Sequence, residues 1–274
     1  MNSLPRTYLF VPGNRPERFA KALASGADAI VFDLEDAVAA DAKAFARNAI
    51  ADWTATSSAA ERSRIVVRIN DARYAGFADD LRLLREAGIV TAMLPKAEAP
   101  EQIDALRAAA PGAEVLALVE SALGIARADL LAAAKGVTRL VFGTLDYALD
   151  LDLDISDGSD ALTYSAGRLA VASRVAGLPS PVAGVTPQID DETRLLADLA
   201  WARRHGFGAK LCIHPQQVAA IHAALAPDEQ AISWARRVLD AEAASPGAAR
   251  LDGRMIDRPV VLQAERTLQR AGCV

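Results

Sequence analysis

Short apolar runs alternate with longer amphipathic segments along most of the 274-residue chain. The short runs are aliphatic and rich in β-branched residues, which is typical of buried strands. They predict eight strands, over residues 7–11, 29–32, 65–69, 90–94, 115–119, 139–142, 181–184 and 209–213. The segments between them have helical periodicity and predict helices over residues 16–24, 41–51, 77–87, 101–109, 125–134, 161–176 and 192–204. Repeated strand–helix units require parallel crossovers, so the pattern predicts an α/β fold of the TIM (β/α)8 barrel type.

The segment after the eighth predicted strand is surplus to a barrel. It has helical patterns over residues 216–224, 228–244 and 259–270, with a break at Ser245-Pro246-Gly247. We therefore expect a TIM-barrel catalytic domain over 1–225. A C-terminal helical extension over 226–274 packs on the same subunit or reaches a neighbouring one. An open, doubly wound sheet is the alternative fold, but no Gly-x-Gly-x-x-Gly follows the first strand.

Composition and charge exclude several classes of protein. The chain is 52% hydrophobic and 24% charged, so it can bury a large core and is not disordered. Its net charge of −5 leaves no basic excess for a nucleic acid. Neither a membrane-spanning run nor a secretory signal is visible, and we expect a cytoplasmic protein. Cys212 and Cys273 have neither metal-type spacing nor a disulfide pattern, and we expect Cys212 in the core.

Charged residues gather at or just after the ends of the predicted strands, where TIM-barrel enzymes carry their reactive groups. They are Asp33, Glu35, Asp36, Arg68, Lys96, Glu120, Asp146 and His214. Charges beside buried strands are costly to desolvate unless they are paired or used. Their convergence favours an active site, and the alternative is an internal layer of ion pairs that closes the top of the barrel.

Glu120 and Asp146 are the candidate metal ligands. Mg²⁺ prefers hard oxygen ligands and usually takes one or two carboxylates, with water and substrate completing its shell. The chain has no cysteine or histidine cluster for zinc. The alternative for Glu120 is structural, because Glu120-Ser121 could cap the next helix.

Arg68 and Lys96 are the candidate cations of the site. Arg68 can bind a carboxylate through two hydrogen bonds, and its alternative is a salt bridge to Asp33 or Glu35. Lys96 could neutralise either a bound anion or the acidic segment. That segment, Asp33-Leu34-Glu35-Asp36, is a supporting element that orients metal-bound waters and holds Arg68, unless it is simply a solvated loop.

Three further residues receive structural assignments. Asp41 and Lys43 are expected at the surface. His214, which precedes Pro215, is expected to cap the next helix rather than to take part in catalysis.

Taken in order, eight segments resemble the HpcH/HpaI aldolase and citrate lyase β-subunit (CitE-like) superfamily. Within it, the chain resembles the citramalyl-CoA and malyl-CoA lyase-like branch, and the resemblance runs nearly end to end. The segments are RTYLFVPG (6–13), FDLEDAV (32–38), VRIN (67–70), LPK (94–96), LVESALG (118–124), FGTLDY (142–147), GAKLCIHPQ (208–216) and DGRMID (252–257).

The resemblance implies a TIM barrel that assembles as a homotrimer and makes or breaks a carbon–carbon bond beside an acyl thioester, with Mg²⁺ at the site. By motif, Glu120 and Asp146 match the metal ligands. Arg68 matches the arginine that contacts the substrate's oxygens. Asp257 matches an acid/base aspartate that enters a neighbouring subunit's site, although on its own it would be expected at the surface. We assign cofactor binding to Arg6 and Lys96.

Two departures from the family pattern bear on the acyl group and its carrier more than on the metal. Many relatives have an aspartate where this chain has Ala183. The acidic stretch over residues 150–160 is also unusual.

The expected function is that of a Mg²⁺-dependent carbon–carbon lyase. Its substrate would be a short hydroxy-dicarboxyl thioester, such as citramalyl-CoA or malyl-CoA, and its products acetyl-CoA and pyruvate or glyoxylate. One alternative is the citryl-thioester lyase β subunit of a citrate lyase complex, with an acyl-carrier partner. Others are an aldolase for free keto acids and a non-catalytic barrel that binds a dicarboxylate or CoA. The joint presence of Glu120, Asp146 and Arg68 ranks the non-catalytic barrel last.

Overall fold

The structure is a computed structural model that describes residues 4–156, 158, 160–245, 247 and 249–272, so Cys273 lies outside it. The chain divides into two compact units, Met1–Ile221 and His222–Val274. The functional division at residue 225, with a lid after it, stays a prediction.

The first unit is a closed barrel of eight parallel strands, each paired with the next and β8 with β1. This confirms the predicted TIM-barrel fold. The strands are β1 Thr7–Pro12, β2 Ala29–Asp33, β3 Ile65–Arg68, β4 Thr91–Leu94, β5 Glu114–Val119, β6 Val137–Phe142, β7 Val182–Ala183 and β8 Ala209–Cys212.

Alternate strand residues fill the barrel interior. Val31, Val66, Leu116, Val141 and Leu211 belong to one buried cluster inside the barrel. The residues between them face the helices, because successive side chains of a strand point to opposite sides. Both sides are therefore apolar, which is why the strands appear in the sequence as continuous hydrophobic runs. The predicted core position of Cys212 is confirmed, since it is fully buried.

Ten α-helices lie within the first unit's described residues, and an eleventh runs across the division between the units. They are α1 Phe19–Leu23, α2 Lys43–Thr56, α3 Ala59–Arg62, α4 Phe77–Glu86, α5 Pro100–Ala109, α6 Ala122–Ala126, α7 Ala128–Ala133, α8 Thr144–Asp150, α9 Thr163–Val175, α10 Glu192–Arg204 and α11 Gln216–Leu225. Short 3-10 turns precede three of them, at Pro16–Arg18, Ala40–Ala42 and Asp160–Leu162.

The hydrophobic pattern does not predict α3 and α8, and it predicts a single helix where the structure has α6 and α7. The signal for α3 is a capping box, in which Ser58 and Glu61 satisfy each other's backbone N–H groups. Helix α8 directly follows β6 and is short, so its hydrophobic periodicity is weak. It matters because its first turn carries Asp146.

The second unit contains helices α12 Glu229–Ala244 and α13 Arg258–Arg270, which confirms the predicted C-terminal helices. Between them lies a hairpin of β9 Arg250–Leu251 and β10 Arg254–Met255. The prediction missed this hairpin, although its turn, Asp252-Gly253, is a common hairpin signal in which both residues have positive φ. Of the helices within the described residues, none is long and apolar enough to cross a bilayer.

Candidate active site

The candidate site lies at the carboxyl edge of the barrel. Asp33 and Arg68 are the last residues of β2 and β3, and they are paired in the sheet register. Glu120 directly follows β5, and Asp146 lies in the first turn of α8, just after β6. The barrel therefore brings charged groups from the ends of four strands, β2, β3, β5 and β6, to one edge, as is typical of TIM-barrel active sites.

The guanidinium of Arg68 forms ion pairs with three carboxylates. Its Nε and Nη2 donate to the two carboxylate oxygens of Asp33 at 2.7 and 2.6 Å. Its Nη1 lies 2.9 Å from Oε2 of Glu35 and 3.6 Å from Oδ2 of Asp36. The guanidinium also stands 4.9 Å from the centre of the Phe10 ring. Burial alone would lower the pKa of Arg68, but the charges and hydrogen bonds of these carboxylates outweigh it and raise the pKa.

The acidic segment is a structured loop. Asp33 accepts hydrogen bonds from the N–H groups of Glu35 at 2.9 Å and Ala37 at 3.1 Å. Oε1 of Glu35 accepts from Nζ of Lys96 at 3.0 Å. Asp33 and Glu35 are buried, so the alternative of a solvated loop is wrong for them and holds only for the exposed Asp36. The expected contact of this segment with Arg68 is present.

Lys43 corrects a prediction, because it is buried rather than on the surface. Its Nζ donates to the carbonyl oxygens of Leu34 at 2.7 Å and Glu35 at 3.0 Å, and also to Oδ1 of Asn70. Burial lowers the pKa of Lys43. The prediction failed because a lysine at the start of a helix usually faces solvent, and the sequence does not show that two loop carbonyls converge on it. Asp41 is exposed, as expected.

The carboxylate of Asp80 is a second buried charged group that the sequence did not indicate, and it holds Asn70 in place. Asp80 is fully buried, and its Oδ2 accepts from the backbone N–H and the side-chain amide of Asn70 at 2.8 and 2.6 Å. Its Oδ1 accepts from Arg47 at 2.9 Å. Helices α2 and α4 are thereby tied to the acidic loop through Lys43 and Asn70.

Glu120 is held by the backbone rather than by a cation. Its Oε1 accepts from the N–H of Lys96 at 2.8 Å, and Lys96 takes a φ of 46°, which non-glycine residues rarely adopt. Gly143 leaves room for the other oxygen, because a Cβ there would stand 2.4 Å from Oε2 of Glu120. Within the part of the chain that is described, no side-chain nitrogen of a lysine, arginine or histidine comes within 4.0 Å of the Glu120 carboxylate.

Burial raises the pKa of Glu120 to about 8, with further contributions from the charges of Glu35 and Asp146. The alternative role of Glu120 as a helix cap is taken by Ser121, whose Oγ accepts from the N–H of Gly124 at 3.2 Å. Glu120 and Asp146 are therefore neighbouring carboxyl groups, and among the described residues neither has a cationic side chain within 4.0 Å.

This donor set fits Mg²⁺. Glu120 and Asp146 offer hard carboxylate oxygens, and no cluster of three or more histidine, cysteine, aspartate or glutamate side chains suited to a metal occurs among the described residues. Two protein carboxylates with water and substrate oxygens are a common magnesium shell, whereas zinc sites use more nitrogen and sulfur. A divalent cation would also offset the repulsion that raises the pKa of Glu120.

Residues 6–215 match the family described as HpcH/HpaI aldolase/citrate lyase. The chain belongs to this family. It is 38% identical over 271 residues to a citrate lyase subunit beta-like protein of Mycobacterium tuberculosis, which spans 97% of this chain and 95% of that protein. It is 32% identical over 273 residues to a (3S)-malyl-CoA thioesterase of Cereibacter sphaeroides, across 98% of this chain and 95% of the relative.

The fold is similar to the crystal structure of CitE from Mycobacterium tuberculosis in complex with magnesium, acetoacetate and coenzyme A. The TM-score is 0.89 and the identity 37%, and the match covers 99% of this chain and all (100%) of the other. The resemblance to the citrate lyase β-like superfamily is thus confirmed along nearly the whole chain.

In this member of the citrate lyase family, Arg6 is not among the side chains at the carboxyl edge. It precedes β1, at the amino end of the strand, and its N–H donates to Oδ2 of Asp28 at 2.7 Å. Lys96 does reach the site, where it binds Glu35. Their assignment to cofactor binding stays a prediction, and the position of Arg6 adds no support.

Asp257 and His214 both make helix-capping contacts. Asp257 is an exposed residue of the second unit that caps α13, its Oδ1 accepting from the N–H of Val260 at 3.2 Å. Its acid/base role stays a prediction. Nδ1 of His214 lies 3.3 Å from the N–H of Gln216, at the start of α11, which agrees with the expected capping role.

Proposed function

We propose that this protein is a Mg²⁺-dependent lyase that cleaves the carbon–carbon bond of a short hydroxy-dicarboxyl CoA thioester. Citramalyl-CoA and malyl-CoA are the candidate substrates, and acetyl-CoA with pyruvate or glyoxylate the products. The observation that carries the proposal is the pair of carboxylates without a cation, Glu120 and Asp146, beside the fixed guanidinium of Arg68. The magnesium and coenzyme A bound to the similar CitE structure support it.

The reaction needs one proton removed and one delivered. The hydroxyl loses its proton, the adjacent carbon–carbon bond breaks, and the electron pair moves into the thioester to form an enolate. The enolate takes a proton at its α-carbon and becomes acetyl-CoA. Mg²⁺ held by Glu120 and Asp146 would supply Lewis-acid polarisation of the oxygens of the keto-acid half.

Arg68 is suited to stabilise charge that develops on oxygen. Because Asp33 holds its Nε and Nη2, the guanidinium is oriented before substrate binds, and preorganised donors are the most effective electrostatic catalysts. Glu35 and Lys96 keep the loop around it in place.

Asp257 is proposed to deliver the proton to the enolate from a neighbouring subunit of a homotrimer. Sedimentation of the purified protein tests the trimer. Asp257→Ala and Arg68→Ala should each abolish turnover, while their mixed oligomers should regain part of it. Proven mixed oligomers without activity would refute the shared site.

Thioester hydrolysis is the second candidate function, favoured by the malyl-CoA thioesterase among the relatives. It would release free CoA and a hydroxy acid instead of acetyl-CoA and a keto acid. Action on a citryl thioester bound to an acyl-carrier partner, and action on a free keto acid, remain alternatives for the substrate. That the protein works in the cytoplasm and binds no nucleic acid stays a prediction.

The deciding experiment measures acetyl-CoA and keto acid released from both stereoisomers of citramalyl-CoA and malyl-CoA, first with Mg²⁺ and then with EDTA. Metal-dependent release of both products from one substrate is the expected result. Free CoA without keto acid would replace the lyase with the thioesterase. No turnover of any thioester, with Mg²⁺ still bound, would indicate that the substrate is instead a carrier-linked thioester or a free acid.

A further inference from the structure

Lys210 is a buried cation that the proposed reaction does not use. It lies in β8 between Ala209 and Leu211, both of which face the barrel interior, so its side chain points toward the helices. It is only 2% exposed, and its Nζ donates to the carbonyl oxygen of Gly184 at 2.8 Å. An ammonium group has three N–H donors, and the Gly184 carbonyl oxygen accepts from one of them.

The position opposite Lys210 holds a residue without charge. Ala183 of β7 is its register partner in the sheet, and it is also buried. Both residues line a cavity of about 380 Å³ between the ends of β7 and β8 and helix α10. The cavity is therefore adjacent to a buried ammonium group.

Helix α10 contributes one carboxylate to this cavity, and that carboxylate is already engaged. Oδ1 of Asp198 accepts from Nε of Arg194 at 2.8 Å, and its Oδ2 accepts from Oγ1 of Thr186 at 2.7 Å. No carboxylate of the described residues comes within 4.0 Å of Nζ of Lys210, whose only recorded acceptor is a carbonyl.

The other titratable groups near Lys210 do not compensate its positive charge. Asp154 is exposed at the rim and accepts from Ser156. Burial raises the pKa of the Cys212 thiol to about 12, so it is neutral. Burial lowers the pKa of Lys210 to about 8, which leaves it mostly protonated at neutral pH. The two cations, Lys210 and Arg194, therefore face one carboxylate, Asp198. Of the three only Lys210 is fully buried, and a buried charge without full compensation is costly.

We propose that this cavity is a second binding site, for a short-chain monocarboxylate whose anionic end lies against Nζ of Lys210. Apolar side chains of the cavity wall can contact the alkyl end of such a ligand. Leu153, Leu162 and Val185 are among them. Trp201 also lines the cavity, and its buried Nε1 has no hydrogen-bond partner, which makes it a second candidate donor. None of Glu120, Asp146 and Arg68 lines the cavity, but its lining residues Thr144 and Leu145 directly precede Asp146. The proposed site is therefore a neighbour of the candidate metal site and not a part of it.

The test is the thermal stability of the metal-free protein in EDTA, with sodium acetate compared with sodium chloride at equal ionic strength. A ligand at roughly tenfold its Kd should raise the Tm by about 3–5 °C, because it binds only the folded state. We expect this shift with acetate and propionate and a clearly smaller one with chloride. Equal shifts with all three salts, or no shift with any, would overturn the proposal.

Two variants locate the effect at Lys210. Ala183→Asp places a carboxylate opposite the ammonium group, so it should raise the Tm without acetate and remove the response to acetate. Lys210→Met should remove the response, whereas the exposed Lys135→Met is the matched control and should keep it. If Lys210→Met does not fold, Ala183→Asp decides alone.

A further variant separates the two sites. Glu120→Gln should keep the full acetate response, and its loss there would assign the carboxylate to the candidate metal site. An acetate response that survives in Ala183→Asp would likewise refute the site at Lys210.

Discussion

The two halves of the carboxyl edge differ in whether their charged side chains have oppositely charged partners. On the side of β2 and β3, Arg68 meets Asp33 and Glu35 within 2.9 Å, and Lys96 neutralises the other oxygen of Glu35. On the side of β5 and β6, the charge of Asp146 adds to the raised pKa of Glu120, and neither carboxyl group has a cationic side chain within 4.0 Å among the described residues. The first half is a closed network that fixes geometry. The second half is an open one that a divalent cation would complete. The difference therefore separates the network that orients Arg68 from the pair of carboxyl groups that would hold a metal.

Glu120→Gln should give the largest effect on function and the smallest cost in stability. The amide keeps the size of the side chain but removes the charge, so we expect Mg²⁺ affinity lower by about 100-fold or more and turnover below detection. The metal-free variant should be at least as stable as wild type, because it no longer buries an unpaired carboxylate. Calorimetric titration with Mg²⁺ and thermal melts in EDTA measure both. Normal turnover would refute the metal site.

Asp33→Asn applies the same chemical change to the closed half and should have the opposite effect on stability. It leaves Arg68, whose side chain is 11% exposed, with two of its three carboxylate partners. It also turns an amide N–H toward the guanidinium or the loop N–H groups, and breaking a buried ion pair costs about 3–5 kcal/mol. We expect the free energy of unfolding to fall by about that amount in urea titrations. Equal stability changes in Asp33→Asn and Glu120→Gln would show that the two halves do not differ.

Lys43→Met should destabilise the acidic loop on the β2 and β3 side of the carboxyl edge. It removes the donor to the carbonyls of Leu34 and Glu35 and to Asn70, and each unsatisfied buried acceptor costs about 1–3 kcal/mol. The remaining acceptors can recruit water, so we expect a loss of about 2–3 kcal/mol in urea titrations, with Mg²⁺ affinity nearly unchanged. Lys21→Met, an exposed lysine of α1, is the matched control. A parallel loss of Mg²⁺ binding would mean that Lys43 supports both halves.

The fold could be predicted from the sequence because it depends on patterns that repeat. Eight aliphatic runs alternate with amphipathic segments, and each run is buried on both sides. The exceptions are short elements such as α8, which has too few turns to show a period, and the two-residue strand β7, which the sequence marks weakly.

The candidate site was predicted only in part, for a different physical reason. Residues at strand ends, such as Glu120 and Arg68, are brought together by topology, and topology follows from the pattern. The partner that each charge selects depends on distances of a few ångströms, so both alternatives for Arg68, a salt bridge to Asp33 and one to Glu35, turned out to be present together. The burial of Lys43 depends on the path of a loop, which no local pattern shows.

Asp36→Asn should give the smallest effect, because Asp36 is at the exposed edge of the network around Arg68. Asp36 lies 3.6 Å from Nη1 of Arg68, but its side chain is 59% exposed, and a solvated charge at that distance contributes little. We expect a change below about 0.5 kcal/mol in the free energy of unfolding and turnover within about twofold of wild type. Urea titration and the acetyl-CoA release assay measure these two quantities. A large loss of turnover with unchanged stability would contradict this, because it would give Asp36 a direct contact with the substrate that its ion pair does not explain.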